Sequence, residues 1–475
     1  MEYLEQMRAY LHQNAARYAE MSDEIWGFAE PRFQEYRSAQ VQRDYLEQLG
    51  FQVRQGLAGE ETALLAEYGA GKPVIAFLGE YDALSGLSQK ADCPREELLD
   101  PEAWGHGCGH NLLGVGSLAA AAALKDCMER NQLPGTVRYY GCPAEENAGG
   151  KAFLVRDGLF DDCDIALYWH PHSYHQVVYG SSNANFRVFF TFHGTAAHAA
   201  ACPHLGRSAL DAVELMNVGV NYLREHMIDE ARVHYAVTDT GGTSPNVVQQ
   251  KAQVLYAIRA PRLEQVQELY QRICKIAQGA AMMTETTVEI RQVAAYANML
   301  SNPVICRRFE AHYADLPPID YTEAELEYAR QFHESMLSKG REGVTREAES
   351  LFGREAARTQ LQQPVYTALA EHNKYEDMKG SADLGDVSWI VPAAFFYGAT
   401  WAGGTPVHSW QATAQGKSSL AHKGMLHAAE VLAATGCDFL TNPDLVREAR
   451  EALREMLDGK VYTSPLPPEC KPELW

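Results

Sequence analysis

Basic residues are in short supply in this sequence: 41 Lys and Arg stand against 62 Asp and Glu, a formal charge of −21. That balance argues against nucleic acid or an anionic membrane surface as a partner. It says little about the substrate, because a local patch can oppose the global sign. No apolar run reaches the length of a membrane-spanning helix, about 20 residues. The start, Met1-Glu2-Tyr3-Leu4-Glu5, reads as a charged amphipathic helix rather than a signal peptide. The ten cysteines have no regular spacing and fit a reducing cytoplasm better than a disulfide framework. A G-x-S-x-G elbow, a P-loop and a dinucleotide fingerprint are all missing, which removes the readings those motifs carry. Internal repeats and low-complexity tracts are missing too.

What is present is an ordinary globular composition, 46% hydrophobic and 22% charged, in 475 residues. A chain of that length suits two domains better than one core. Its organising stretch is Gly105-His106-Gly107-Cys108-Gly109-His110-Asn111, which runs into an apolar helix over Leu112–Met128. Glycines let the backbone turn tightly around an ion, and Cys and His suit soft and borderline divalent metals. A lone C-x-H is weak, since a His at a helix start is more often a cap or a core hydrogen-bonder.

The rest of the chain strengthens it. Helical spacing covers Glu2 to about Leu49, and Gly50 stops it. Short strands are expected at Phe51–Val53 and Thr62–Tyr68. Continuous apolar runs at 73–78, 135–140, 164–168 and 392–397 read as buried parallel strands. They lead into Glu80-Tyr81-Asp82, into Pro143-Ala144-Glu145-Glu146, into His170, and into a glycine-rich loop with His408. Alternating strands and helices give the α/β class, and sites in such sheets form beyond the carboxyl ends of the strands. Between about Asn185 and Met299 the texture changes. Strands at Phe186–Phe192, Val247–Ala260 and Thr286–Ala295, with helices at Arg207–Met227 and Leu263–Met283, suggest an inserted α+β module. The region Asn302–Gln363 reads as helical, interrupted at Leu316-Pro317-Pro318, and Thr463–Trp475 as an extended arm.

Each candidate has a plainer alternative. Glu145-Glu146 is either a solvated pair or a metal ligand beside a catalytic carboxylate. Asp82 is either a turn residue or a carboxylate that orients a ligand. His170 is a strand end or a ligand, and His408 a loop residue or a ligand. His106, His172 and His422 are read as structural or supporting.

The quoted motifs, with Gly194-Thr195-Ala196-Ala197-His198-Ala199-Ala200 and Pro203, resemble peptidase family M20, most closely its amidohydrolase branch. Gly385-Asp386-Val387-Ser388-Trp389, Gly404–Gln411 and Gln415–Ser419 are similar to the p-aminobenzoyl-glutamate hydrolase B-subunit group of that branch. The resemblance implies a zinc-peptidase-like catalytic domain over 1–184 and 300–475, with a mostly parallel central sheet flanked by helices. A lid and dimerisation domain would occupy 185–299. It implies Cys108, His110, Glu146, His170 and His408 as ligands of two divalent ions, Mn²⁺ or Zn²⁺, with Asp82 in support and Glu145 as general acid/base. His198 would reach the partner's substrate carbonyl, and Asn246 and Arg259 would hold the substrate carboxylate. Many members carry His-x-Asp where this chain has Glu80-Tyr81-Asp82, so His110 is expected to stand in for that imidazole and Cys108 for a bridging Asp. The implied activity is cleavage of an N-acyl or N-aroyl amino acid by metal-activated water. A dipeptidase on the same scaffold or a non-catalytic partner subunit is the alternative. A homodimer is the implied assembly, a heteromer with a paralogue the other possibility.

Overall fold

The computed structural model describes residues 2–474, so Met1 and Trp475, at the ends of the expected first helix and C-terminal arm, lie outside the described residues. The chain opens with α1 (Glu2–Gln13), α2 (Ala15–Phe28) and α3 (Tyr36–Gln48). A hairpin of β1 (Gln52–Leu57) and β2 (Glu60–Ala70) follows, then β3 (Val74–Glu80) and the long α4 (His110–Asn131). Next come β4 (Gly135–Cys142), β5 (Ile165–His172) and the two-residue β6 (Gln176–Val177), and much later β11 (Ala393–Ala399) completes the main sheet. Its order is β1-β2-β4-β3-β5-β11-β6, seven strands. The inner four, β4, β3, β5 and β11, are parallel neighbours, and antiparallel strands close both edges.

The inner strands carry no polar face because both faces are covered. Ile75, Phe77, Val137, Tyr139 and Trp169 pack on one side with α4 and the C-terminal helix α9 (Ser419–Thr441). Val74, Ala76, Leu78 and Tyr140 pack on the other with Leu154, Phe160 and Leu384. The alanine run Ala119–Ala123 in α4 is fully buried, and its small side chains let α4 lie close between sheet and α9.

The second sheet has four strands, β7 (Ala184–His193), β8 (Arg232–Asp239), β9 (Lys251–Ala260) and β10 (Thr287–Tyr296), in the order β8-β9-β7-β10. Helices α5 (Ala209–Leu223) and α6 (Leu263–Thr284) cover one face, against Phe186, Val188, Phe190 and Tyr256. Two expectations need correction here. The strand expected at Val247–Ala260 begins only at Lys251, because 244–247 form a turn closed by Val247 N–H on the Ser244 carbonyl. Strand β8 has no counterpart in the sequence reading. It is a mostly exposed edge strand, although Val233, Tyr235 and Val237 alternate with His234, Ala236 and Thr238, so the period of a strand was there to read.

The region 302–363 is helical as expected, in α7 (Pro303–Asp315) and α8 (Glu323–Gln360), the latter broken at Gly340 and Gly353. The C-terminal arm, described to Leu474, ties the two sheets' bodies together. Gln292 donates to the Pro465 carbonyl at 3.1 Å, Arg291 pairs with Glu473, and Arg156 donates to the Cys470 carbonyl at 2.7 Å. Among the described residues no helix is long and apolar enough to cross a membrane.

Candidate metal centre and its cavity

The predicted ligands converge at the carboxyl ends of the parallel strands. Gly109 makes the turn that starts α4, with φ +74°, and a Cβ there would meet Pro171 and Trp401 at 2.9 Å. Only glycine fits both the backbone angle and the space. That turn brings Cys108 Sγ to 3.4 Å from His170 Nε2. His170 was expected just beyond its strand; it sits inside the strand's last residues instead, with Nδ1 donating to the Pro171 carbonyl at 2.8 Å. His408 has φ 55°, in the left-handed region, a strained placement for a side chain other than glycine. Its backbone N–H on the Gly107 carbonyl (2.8 Å) holds it there, and its Nε2 lies 3.3 Å from Glu146 Oε1.

Asp82 acts from behind. Its Oδ1 takes the His110 Nδ1 proton at 2.8 Å, and its Oδ2 accepts the Glu146 backbone N–H at 3.0 Å. One carboxylate thereby fixes the tautomer of one candidate ligand and the position of another. The ligand atoms fall into two overlapping groups: Cys108 with His110 and His170, and Cys108 with Glu146 and His408. A third brings His110 together with Glu80 and Glu145.

The donor set fits divalent metal. His110 Nε2 and Glu146 Oε1 are both buried and lack a hydrogen-bond partner, although buried polar atoms normally have one. Burial and Glu146 push the Cys108 thiol up, yet His170 and His110 outweigh them and bring it down to about 6, toward the thiolate that binds metal.

The adjacent glutamates are driven apart. Burial, then Glu80 and Glu146, raise Glu145 well above the usual carboxylate range. Burial would raise Glu146 as well, but His408 and His110 hold it at about 2. Two neighbouring carboxylates with opposite shifts are the pattern of a group that can take up and release a proton beside a permanent anion. The turn that splays them places Ala144 at φ 59°, and the buried Glu35 accepts the Ala144 N–H at 3.0 Å.

Sequence reasoning missed the layer beneath. Lys151 is fully buried; its Nζ pairs with Glu80 and, at 2.7 Å, with Asp383, while Tyr168 donates to the same Glu80 oxygen at 2.8 Å. The signal was available: Lys151 is a lone charge ahead of the apolar run Ala152–Val155, and a charge there needs buried partners. Arg187 of β7 was missed as well; it donates to the Asn147 side chain at 2.8 Å.

The lid candidates lie elsewhere. His198 is exposed, its Nδ1 accepting the Ala200 and Ala201 N–H groups at 3.2 Å. Asn246 is its neighbour, its carbonyl taking the Ala199 N–H at 2.9 Å. Arg259 is half-buried at the far end of β9, opposite Asn185. The eight residue steps of strand from Lys251 to Arg259 span about 26 Å, so Asn246 and Arg259 of one chain do not meet. None of the three lines the cavity of about 200 Å³ beside the metal centre, which Glu145, Tyr168, His172 and Tyr397 do. His106 bonds the Ile25 carbonyl and His422 bonds Asp23, as supporting groups.

Residues 76–470 match the model of peptidase family M20/M25/M40. The chain belongs to family M20. It is 44% identical over 463 residues to the B-subunit of p-aminobenzoyl-glutamate hydrolase from Escherichia coli, covering 96% of each chain. To Xaa-Arg dipeptidase of Mus musculus it is 28% identical over 459 residues, 94% of this chain and 90% of that one. Among solved structures, an aminobenzoyl-glutamate utilization protein from Klebsiella pneumoniae shares the fold at TM-score 0.61 and 20% identity, covering 92% and 98% of the two chains. A dinuclear metal binding M20 peptidase of Bacillus subtilis does so at TM-score 0.55 and 17% identity, over 90% and 99%. This M20 protein is a metal-dependent amidohydrolase acting on a small amide.

Proposed function

We propose that this M20 chain is a binuclear amidohydrolase that cleaves the amide bond of an N-acyl or N-aroyl amino acid, of the p-aminobenzoyl-glutamate kind. The observation that carries the reading is the pair of ligand groups sharing Cys108, with Glu145 beside them in the lining of a cavity. Cys108, His110, Glu146, His170 and His408 would hold two divalent ions, Mn²⁺ or Zn²⁺, with Asp82 orienting His110. When bound, such ions polarise a carbonyl and make water acidic near neutral pH.

The chain's own residues then do the following. Glu145 accepts the proton of the attacking water and returns it to the leaving nitrogen. His198 of a second protomer donates from Nε2 to the carbonyl oxygen as charge develops there; its Nδ1 is already an acceptor, which leaves the proton on Nε2. Arg259 grips the free carboxylate of the amino acid. Asn246, tied to the His198 loop, enters from the same second protomer. The homodimer reading is supported by the exposed Leu215, Val218 and Tyr222 on α5 and by the open edge of β8, since unpaired edges favour association. Similarity to the A-subunit of p-aminobenzoyl-glutamate hydrolase from Escherichia coli, 31% identical over 251 residues, supports a heteromer as the other assembly, and the cytoplasm is the proposed location.

The test is a panel of N-aroyl-glutamates, N-acyl amino acids and dipeptides given to Mn²⁺- or Zn²⁺-loaded protein, with metal counted by elemental analysis. Cleavage of the aroyl-glutamates with about two ions per chain is expected. Full activity with one ion would overturn the binuclear reading, and preference for Xaa-Arg dipeptides would favour the dipeptidase.

A further inference from the structure

Away from the metal ligands, the cavity beside Glu145 has an aromatic wall. The rings of His172 and Tyr397 lie 4.9 Å apart, with Tyr174 behind them at 4.1 and 5.5 Å. Phe395 stacks edge-on to Tyr397 at 5.1 Å. Such a wall favours a flat π-system over an alkyl chain. No Lys or Arg is among the described residues that line the cavity, so away from the metal ligands an acidic acyl group would find no cationic Lys or Arg partner.

The remaining wall is the segment from Met378 to Leu384, and it is fixed on two sides. Met378 N–H bonds the Ser181 carbonyl at 2.8 Å and Asn183 N–H bonds the Gly380 carbonyl at 2.9 Å. At its other end, Asp383 takes both the backbone N–H of Lys151 at 2.9 Å and its ammonium at 2.7 Å. Tyr397 O–H points at Met378 Sδ, 3.1 Å away, which joins the two walls. Within this braced segment Ser381 lines the cavity, and its Oγ is buried with no hydrogen-bond partner. A buried hydroxyl left unpaired is unfavourable.

We infer that this cavity is the acyl subsite, that it takes one flat aromatic acyl group, and that Ser381 Oγ bonds a polar substituent on that ring. An amino group para to the carbonyl is the type of substituent that fits, its N–H donating to Ser381 Oγ. The cavity of about 200 Å³, shared with the ligand residues Cys108, Glu146, His170 and His408, has room for a single substituted ring. The inference rests on the amidohydrolase reading above and names the determinants of its acyl side.

The experiment compares p-aminobenzoyl-glutamate, benzoyl-glutamate and acetyl-glutamate on wild type and Ser381→Ala, alongside calorimetric binding of p-aminobenzoate and benzoate. In wild type, p-aminobenzoyl-glutamate should exceed benzoyl-glutamate in kcat/KM by about 5–10-fold, the value of one hydrogen bond. Both should exceed acetyl-glutamate by more than about tenfold through ring burial. Ser381→Ala should bring the amino and unsubstituted substrates within about twofold by weakening the amino substrate alone, and p-aminobenzoate should lose its advantage over benzoate in parallel. An equal loss on both aroyl substrates would make Ser381 structural and overturn its assignment. Acetyl-glutamate cleaved as well as the aroyl substrates would overturn the aromatic subsite. If none of the three is cleaved, the proposed function falls, while the p-aminobenzoate to benzoate affinity ratio still decides the subsite.

Discussion

The metal centre and the His198–Asn246 loops of the lid are built in opposite ways. Around the metal centre each group is held more than once. Asp82 bonds both His110 and the Glu146 backbone, Glu80 is shared by Lys151 and Tyr168, and Asp82, Glu80 and His110 are at most 1% exposed. His198 and Asn246 are exposed, and backbone bonds within and between their two loops fix them, with no buried side-chain partner for either. Groups that act within one chain are buried and over-determined. Groups left open on a surface, beside an unpaired strand edge, suit a site that a second molecule completes.

Four measurements bear on that contrast, and the first has the largest effect. Glu145→Gln should keep its metal and its fold and lose about 10²–10⁴-fold in kcat, because the metal ligands remain while the proton carrier is gone. A variant with near wild-type turnover would remove Glu145 from the mechanism.

Lys151→Met should destabilise the catalytic body by roughly 3–5 kcal/mol, since it leaves Glu80 and Asp383 facing each other in a buried site. Denaturant unfolding of the metal-free protein measures it. A loss under about 1 kcal/mol would mean that the layer under the site is not over-determined in the way its contacts suggest.

His198→Ala should lower kcat by about 10²–10³-fold, the range for one donor to a developing oxyanion, with metal content unchanged. Mixing it with Glu145→Gln under conditions that let protomers exchange should restore activity, because one of the two composite sites then carries neither defect. Verified exchange without recovery would place His198 in its own chain and erase the contrast.

The smallest effect is expected at Arg259. Its removal should weaken kcat/KM for a free-acid substrate by roughly 10–100-fold, the worth of a charge-assisted hydrogen bond. An amidated substrate should be nearly indifferent. No loss on the free acid would end the carboxylate role.

Much of this was legible from sequence for a physical reason. Parallel strands buried on both faces must be continuous apolar runs, and their ends are where loops leave the sheet. The runs at 73–78, 135–140 and 164–168 therefore pointed to Asp82, the Glu145-Glu146 pair and His170 without any knowledge of packing. Strand β8 is no continuous apolar run, but Val233, Tyr235 and Val237 alternate with His234, Ala236 and Thr238, a shorter signal that the reading passed over. The sequence by itself determined the α/β order, the metal-type residues and their proximity along the strand ends. Tertiary structure alone decided that Asp82 serves His110 and Glu146 at once, that Lys151 is buried between Glu80 and Asp383, and that Ser381 lines an aromatic cavity. It also decided that Asn246 stands with His198 rather than with Arg259. These are pairings between residues up to 232 positions apart, as for Lys151 and Asp383. No local period or spacing encodes them; they exist only once both surfaces are folded against each other.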